Sequence, residues 1–361
     1  MGKVIRRLLL LAVLLAVGAA AGGWWAYQRI QAPYQGFTGA ESFVDIPPGS
    51  GPRAIGDSLV ASGVVRDALT FRGALLLTGE ARALKAGEYR FDRPLSAVDV
   101  VHKIARGEVY KRLLTFREGL TIAEMAKVFE ERGFGAAADF ESAGRDASLV
   151  KDLDPAAPDL EGYLFPETYA LPRGTAAAEL ARQMVEGFRR ALPEPLRKEA
   201  EAQGLTVRQV VTLAALVEKE TARPAERPLV AAVYRNRLKI GMGMQADPTV
   251  IYALQKAGKW DGNISRDDLQ FDSPYNTYRY AGLPPGPIAA PGVAALEATV
   301  HPADVKYLYF VSRNDGTHVF ATTLDEHNRN VYEWQVKYFR DQRVPCRSLA
   351  RWSRKYFTCH S

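Results

Sequence analysis

The segment Val217-Glu218-Lys219-Glu220-Thr221 puts two carboxylates at the end of an otherwise apolar run. A carboxylate withdrawn from water is costly unless it is paired or has chemistry to do. Thr206 is a candidate N-cap, and Val207, Val210, Val211, Ala214 and Val217 recur at helical spacing behind it, so a helix is predicted over 206–222. At about 100° per residue, Glu218 falls within the apolar face and Glu220 lies roughly 200° away, beside Leu213 and Leu216. The two acids therefore cannot address the same atom. One is expected to work while the other is held by an arginine such as Arg235 or Arg237. The competing reading makes both of them structural ion pairs.

Polar loops come next. Gln245 and Asp247 precede Pro248, which fits the first turn of another helix. Asn276, Thr277 and Tyr278 offer donors and acceptors, and Leu283-Pro284-Pro285-Gly286-Pro287-Ile288 reads as a rigid turn. One acid on a stiff helix, facing loops fixed by proline and glycine, points to acid catalysis in a shaped groove. Upstream, Leu160-Glu161-Gly162-Tyr163-Leu164-Phe165-Pro166-Glu167-Thr168-Tyr169 is dense in aromatic residues. It reads either as a groove wall on which sugar rings stack or as the edge of a core.

The elements that position these residues are predicted as helices near 176–191, 206–222, 225–239, 247–257 and 325–340. A hairpin is predicted from Tyr307–Ser312 and His318–Leu324 about an Asn-Asp-Gly turn. A strand-turn-helix pattern recurs three times nearer the N-terminus: Phe43–Gly63, Gly87–Gly107 and Leu113–Gly133. Residues 134–158, rich in Ala, Asp, Gly and Pro, read as a loop-rich connection.

Lys3, Arg6 and Arg7 precede twenty uncharged residues from Leu8 to Tyr27, with Trp24, Trp25 and Tyr27 at the far end. That is long enough to span a bilayer, with an aromatic belt and a positive flank that keeps the N-terminus in the cytoplasm. The competing reading is a cleaved signal peptide at Ala-Ala-Ala-Gly. The 361 residues suffice for two domains beyond such a segment. A net charge of +6 suits an acidic polymer or surface, or serves solubility alone. No phosphate-binding glycine loop or basic-aromatic motif points to nucleic acid. The five histidines show no metal-ligand spacing, and no cofactor is implied. Cys346 and Cys359 are read either as a local disulfide or as two thiols.

Glu218-Lys-Glu-Thr221, Asn236-Arg-Leu238, Gln245–Tyr252, Tyr275-Asn-Thr-Tyr278 and Gly282-Leu-Pro-Pro-Gly286 together resemble the endolytic murein transglycosylases, the YceG-like family. The resemblance covers nearly the whole chain. It implies an α+β protein: a transmembrane helix over 1–28, a tether over 29–42, a small LysM-like β-α module over 43–135 and a larger, mainly helical catalytic domain with a β-hairpin over 136–342. A basic tail over 343–361 departs from the family pattern. The resemblance also implies cleavage of the β-1,4 bond between N-acetylmuramic acid and N-acetylglucosamine in nascent peptidoglycan glycan strands, leaving 1,6-anhydro ends. Glu220 would be the acid, kept protonated by apolar neighbours, with Glu218 supporting it and Gln245, Asp247, Asn276 and Tyr278 holding the sugars. The location implied is the inner membrane, single-pass, with the catalytic domain in the periplasm and penicillin-binding synthases as partners. Two other classes stay open. One is a muramidase-type hydrolase using Glu220 and Asp247, with Glu161 and Glu167 as the other candidate second acids. The other is a non-catalytic wall-binding scaffold.

Overall fold

A computed structural model of the chain describes residues 2–341. Cys346, Cys359 and the basic tail lie outside the described residues. The chain divides into two units, one of residues 1–113 with 170–174 and one of residues 114–169 with those from 175 onward.

The smaller unit opens with α1 (Gly2–Gln31). Its segment Ile5–Gln31 has a mean hydropathy of 2.1 and is long and apolar enough to cross a membrane. The stretch over 29–42, expected as a short tether, is bonded to the rest of the unit. Arg29 pairs with Asp67 at 2.6 Å, the Gly36 N–H donates to the Gly63 carbonyl at 2.7 Å, and Tyr34 bridges to Leu95. These partners bind the stretch down because its backbone groups find acceptors on the folded unit instead of water.

Then come β1 (Ser42–Ile46), α2 (Pro52–Ala61), α3 (Ala68–Thr78), β2 (Gly87–Phe91) and α4 (Ala97–Arg106). β1 pairs antiparallel with β2, Ser42 opposite Phe91 and Ile46 opposite Gly87. The alternating inward residues Val44, Ile46, Tyr89 and Phe91 meet Leu59, Phe71, Val100 and Ile104 in one core. Ser96 caps α4 and Gly107 ends it in a left-handed conformation, as the sequence pattern implies. α3 was not among the expected helices. It is apolar on nearly every side, so it carries no clear period.

The chain passes between the units along β3 (Lys111–Thr115) and returns near β4 (Thr168–Pro172). In the larger unit, α5 (Ile122–Glu131) begins at a capping box formed by Thr121 and Glu124. α6 (Ala137–Gly144) occupies part of the expected loop, held by the fully buried Phe140. α7 (Ala177–Ala191), α8 (Glu194–Ala202), α9 (Val207–Glu220), α10 (Arg227–Lys239) and α11 (Asp247–Lys256) come next, then α12 (Val293–Val300). α9 packs against α8, α10, α11 and α12, which is why Val210 to Val217 are all buried.

β5 (Tyr309–Ser312) and β6 (His318–Ala321) form the expected hairpin, with Val311 opposite Val319. The positive φ angles fall at Asn314 and Gly316 rather than at Asp315. α13 (Leu324–Val331) continues through a wider π turn to Asp341. The whole is a mixed helical and small-sheet fold, with a mainly helical larger unit.

Candidate active site

The site grows from the C-terminal end of α9. Thr206 and Gln209 form a reciprocal capping box at its start. Arg208, in the first turn, donates to Asp154 at 2.8 Å and to the Pro285 carbonyl at 3.3 Å. The rigid Pro-Pro-Gly turn is thereby tied to the start of the helix. At the other end Glu220 is the last helical residue, half-buried, and Thr221 is already extended.

The two glutamates face different partners, as their angular separation requires. The Glu218 side chain is 6% exposed and pairs with Arg227 at 2.7 Å. It also accepts from the Gly292 N–H at 3.1 Å, at the start of α12. A Cβ at Gly292 would sit 1.7 Å from a Glu118 carboxylate oxygen, so that exposed side chain would have to swing away to admit one. Burial pushes the Glu218 carboxyl above its ordinary value, against the pull of Gly292 and Arg227. The expected partners Arg235 and Arg237 are engaged elsewhere. Arg235 donates to Gln203 and to the Thr299 carbonyl, and Arg237 donates to the Leu308 and Met244 carbonyls. Neighbouring Asn236 holds the Val305 and Tyr307 carbonyls. The Asn-Arg-Leu motif thus fastens the approach to β5.

Glu220 accepts a 2.7 Å hydrogen bond from the hydroxyl of Tyr234, which sequence reasoning missed. Tyr234 and Arg227 lie seven residues apart on one stripe of α10, and each takes one of the two acids. A polar residue directly after the apolar run Val230–Val233 was the available signal. Burial, then the charge and hydrogen bond of Glu220, hold the Tyr234 phenol well above its ordinary range. It therefore meets Glu220 as a hydrogen-bond donor. Arg237 and Tyr278 also act electrostatically on Tyr234, and the Tyr278 hydroxyl donates to Asp247. Glu220 with Tyr234 and Asp247 with Tyr278 are thus two hydrogen-bonded pairs. A Tyr234→Phe variant is expected to lose roughly ten- to a hundredfold in kcat with KM little changed, since a hydrogen bond to a charged group carries about 1.5–3 kcal/mol. Steady-state kinetics of the two proteins would check it.

The two polar loops are tied together. The Ala246 N–H donates to the Thr277 hydroxyl at 3.0 Å, and the hydroxyls of Thr249 and Thr277 lie 2.9 Å apart. Gln245 is exposed beside them with φ at 50°. Asn276 is fully buried, its amide on the Leu269 and Phe271 carbonyls. It shapes the loop from inside and does not face a groove.

The aromatic segment forms a core edge. Tyr163 is buried and donates to Asp154 at 2.6 Å. Glu161 is buried too, accepting from the Ile122 N–H and the Tyr252 hydroxyl. Burial, then the Asp159 charge, raises its carboxyl to about 8. A pKa raised by folding favours the protonated native state. That stability is full below the unfolded value of 4.5 and is lost as pH rises toward 8. Glu161→Gln is expected to raise the urea midpoint at pH 8 and to leave it nearly unchanged at pH 4. Glu167, the other alternative acid, is partly exposed and pairs with Arg190 at 3.2 Å.

The hairpin braces the end of α9. The His318 N–H donates to Glu226 at 2.8 Å, and its ring Nδ1 lies 2.7 Å from the same carboxylate. Arg223 donates to the Asp315 and Gly316 carbonyls at the turn. Burial opposes ionisation of Glu226, but the His318 hydrogen bonds outweigh it and hold the carboxyl below its usual range.

Known proteins share this chain's sequence and fold. Residues 44–333 match the model of the YceG-like family. An endolytic murein transglycosylase of Bacillus subtilis is 32% identical over 302 residues, 79% of this chain and 82% of that protein. A protein of the same name from Streptococcus pneumoniae is 32% identical over 321 residues, 80% of this chain but only 58% of that protein. A crystal structure of a yceG-like protein from Listeria monocytogenes superposes with a TM-score of 0.55 at 30% identity, covering 80% of this chain and 98% of that one. On the extent of these matches, the chain belongs to the YceG-like family.

Proposed function

We propose that this chain is an endolytic murein transglycosylase, a lyase that cuts within peptidoglycan glycan strands with Glu220 as its acid and base. The observation that carries the reading is Glu220 itself. It is a half-buried carboxylate, held by a buried tyrosine at the end of a core helix, in a chain about one-third identical to proteins of that name.

Glu220, protonated, gives its proton to the glycosidic oxygen as the bond from that oxygen to C1 of muramic acid breaks. The carboxylate then takes the proton of the C6 hydroxyl, whose oxygen bonds to C1. The products are a free hydroxyl on one strand and a 1,6-anhydromuramic end on the other. No water is consumed and Glu220 ends as it began. A hydrolase would need a second carboxylate to activate water or to form a covalent adduct. Asp247 accepts from Tyr278, an arrangement that suits holding an N-acetyl sugar. Mass spectrometry of products from uncrosslinked strands decides the matter. Anhydro ends support the lyase, and ends heavier by one water make the enzyme a hydrolase.

Gln245 is assigned to substrate on the strength of its backbone. A non-glycine residue at positive φ is strained, and this one is exposed beside Asp247. Gln245→Gly is expected to keep or raise the melting temperature while raising KM several-fold. An unchanged KM would remove Gln245 from the sugar contacts.

α1 is read as an uncleaved anchor in the inner membrane. Lys3, Arg6 and Arg7 favour a cytoplasmic start, with the chain beyond α1 in the periplasm. The strand-helix-helix-strand order from β1 to β2, closed by antiparallel pairing, supports a LysM-like module. The anchor sets the enzyme beside newly made strands, where penicillin-binding synthases work.

A further inference from the structure

α3 leaves an apolar edge uncovered. Leu69 is 77% exposed, Leu76 87% and Leu77 51%, while Phe71, Ala74 and Leu75 fill the core. Leu69 and Leu76, seven residues apart, lie on one stripe within about 20° of each other. That stripe borders the place where the end of α1 rests. Arg29 bonds Asp67 and Thr70. Gly73 comes so close to Ile30 that a Cβ there would lie 2.6 Å from the Ile30 Cδ1.

The depth of that contact is set by helix geometry. The apolar residues Leu8 to Tyr27 cover about 30 Å at ~1.5 Å per residue, the thickness of a bilayer's hydrocarbon core. The next turn, Gln28–Gln31, therefore stands at headgroup level, and it is the turn that α3 touches. Trp24 and Trp25 are exposed just below it, with the Arg29 guanidinium 5.3 Å from the Trp25 ring centre, as at an interfacial belt. The charges around α3 favour the same surface. Arg66, Arg72 and Arg82 are exposed, whereas Asp67 is neutralised by Arg29 and Glu80 is bonded to His102.

We propose that the Leu69–Leu76 edge of α3 lies in the headgroup–acyl boundary of the bilayer that α1 crosses, with Arg66, Arg72 and Arg82 on anionic lipid phosphates. An apolar edge flanked by arginines is the composition of an interfacial helix. The proposal rests on α1 remaining in the membrane. It turns the smaller unit from a body trailing on a tether into one laid against the lipid surface.

The test uses the full chain carrying Cys346→Ser and Cys359→Ser, reconstituted in vesicles of phosphatidylethanolamine and phosphatidylglycerol. One spin label at a time is placed through Val13→Cys, Leu69→Cys, Leu76→Cys or Asp57→Cys, the last an exposed position on α2. Accessibility to oxygen is compared with accessibility to a water-soluble nickel chelate. The labels at 13, 69 and 76 should favour oxygen several-fold over the label at 57, and the preference at 69 and 76 should shrink in purely zwitterionic vesicles. If position 13 is in lipid while 69 and 76 behave like 57, the proposal fails and the anchor stands. If position 13 is not in lipid, the anchor reading fails and takes the proposal with it. If 69 and 76 are shielded from both reagents, with spin–spin broadening that unlabelled chain dilutes away, a second copy covers the edge and the lipid assignment is overturned.

Discussion

Glu220→Gln is expected to lower turnover on glycan strands by about a thousandfold or more and to abolish the anhydro product, with the melting temperature close to that of the parent. General acid–base groups typically contribute about 10²–10⁴ in rate, and in the proposed mechanism this residue serves both proton transfers. Glutamine keeps the shape and can still accept from Tyr234, so the loss would be chemical and not structural. A variant that retained turnover would remove Glu220 from the reaction. A wall-binding scaffold would show no product from either form.

Arg227→Met is expected to be the most destabilising single change at this end of the fold, by about 3–5 kcal/mol, because it strands a buried carboxylate. Glu218 and Arg227 are 6% and 9% exposed, and the Gly292 N–H would remain as a donor at 3.1 Å. The pH dependence gives a second check. Burial already raises Glu218 above its ordinary value, and loss of Arg227 raises it further. The penalty should therefore be full above that raised value and shrink as acid protonates the group. Combining Arg227→Met with Glu218→Leu should recover most of the loss, since apolar side chains can replace a buried pair. Urea unfolding of the three proteins measures it. If the single variant unfolded at the parental midpoint, Glu218 would need no counter-charge.

How much of the fold and the site is legible in the sequence varies with the physics. α9 was legible because a capping box, an apolar run and a charged end coincide. The hairpin was legible because Asn-Asp-Gly permits positive φ, although Asn314 and Gly316 take it instead of Asp315. α3 and α12 were not legible, being apolar on most sides and so without a period. α6 was hidden by a composition of small and polar residues that reads as loop. The opposite orientations of Glu218 and Glu220 came from helical geometry alone, but which arginine met Glu218 did not. The partner depends on how Thr221 to Glu226 folds α10 back, and an irregular turn has no pattern to read. Asn276 looked like a sugar ligand because a polar residue in a loop is usually exposed, and here it is buried to hold that loop.

The brace on the end of α9 has a consequence in time. Glu226 and Arg223 find their partners about ninety residues further along, at His318 and at the turn before it. While the chain is being made, α9 and α10 emerge well before the hairpin that secures the connection between them. A chain halted short of the hairpin carries Glu220 but not the clasp on the segment that follows it. The order of synthesis therefore leaves the segment after Glu220 without its brace until the hairpin has been made.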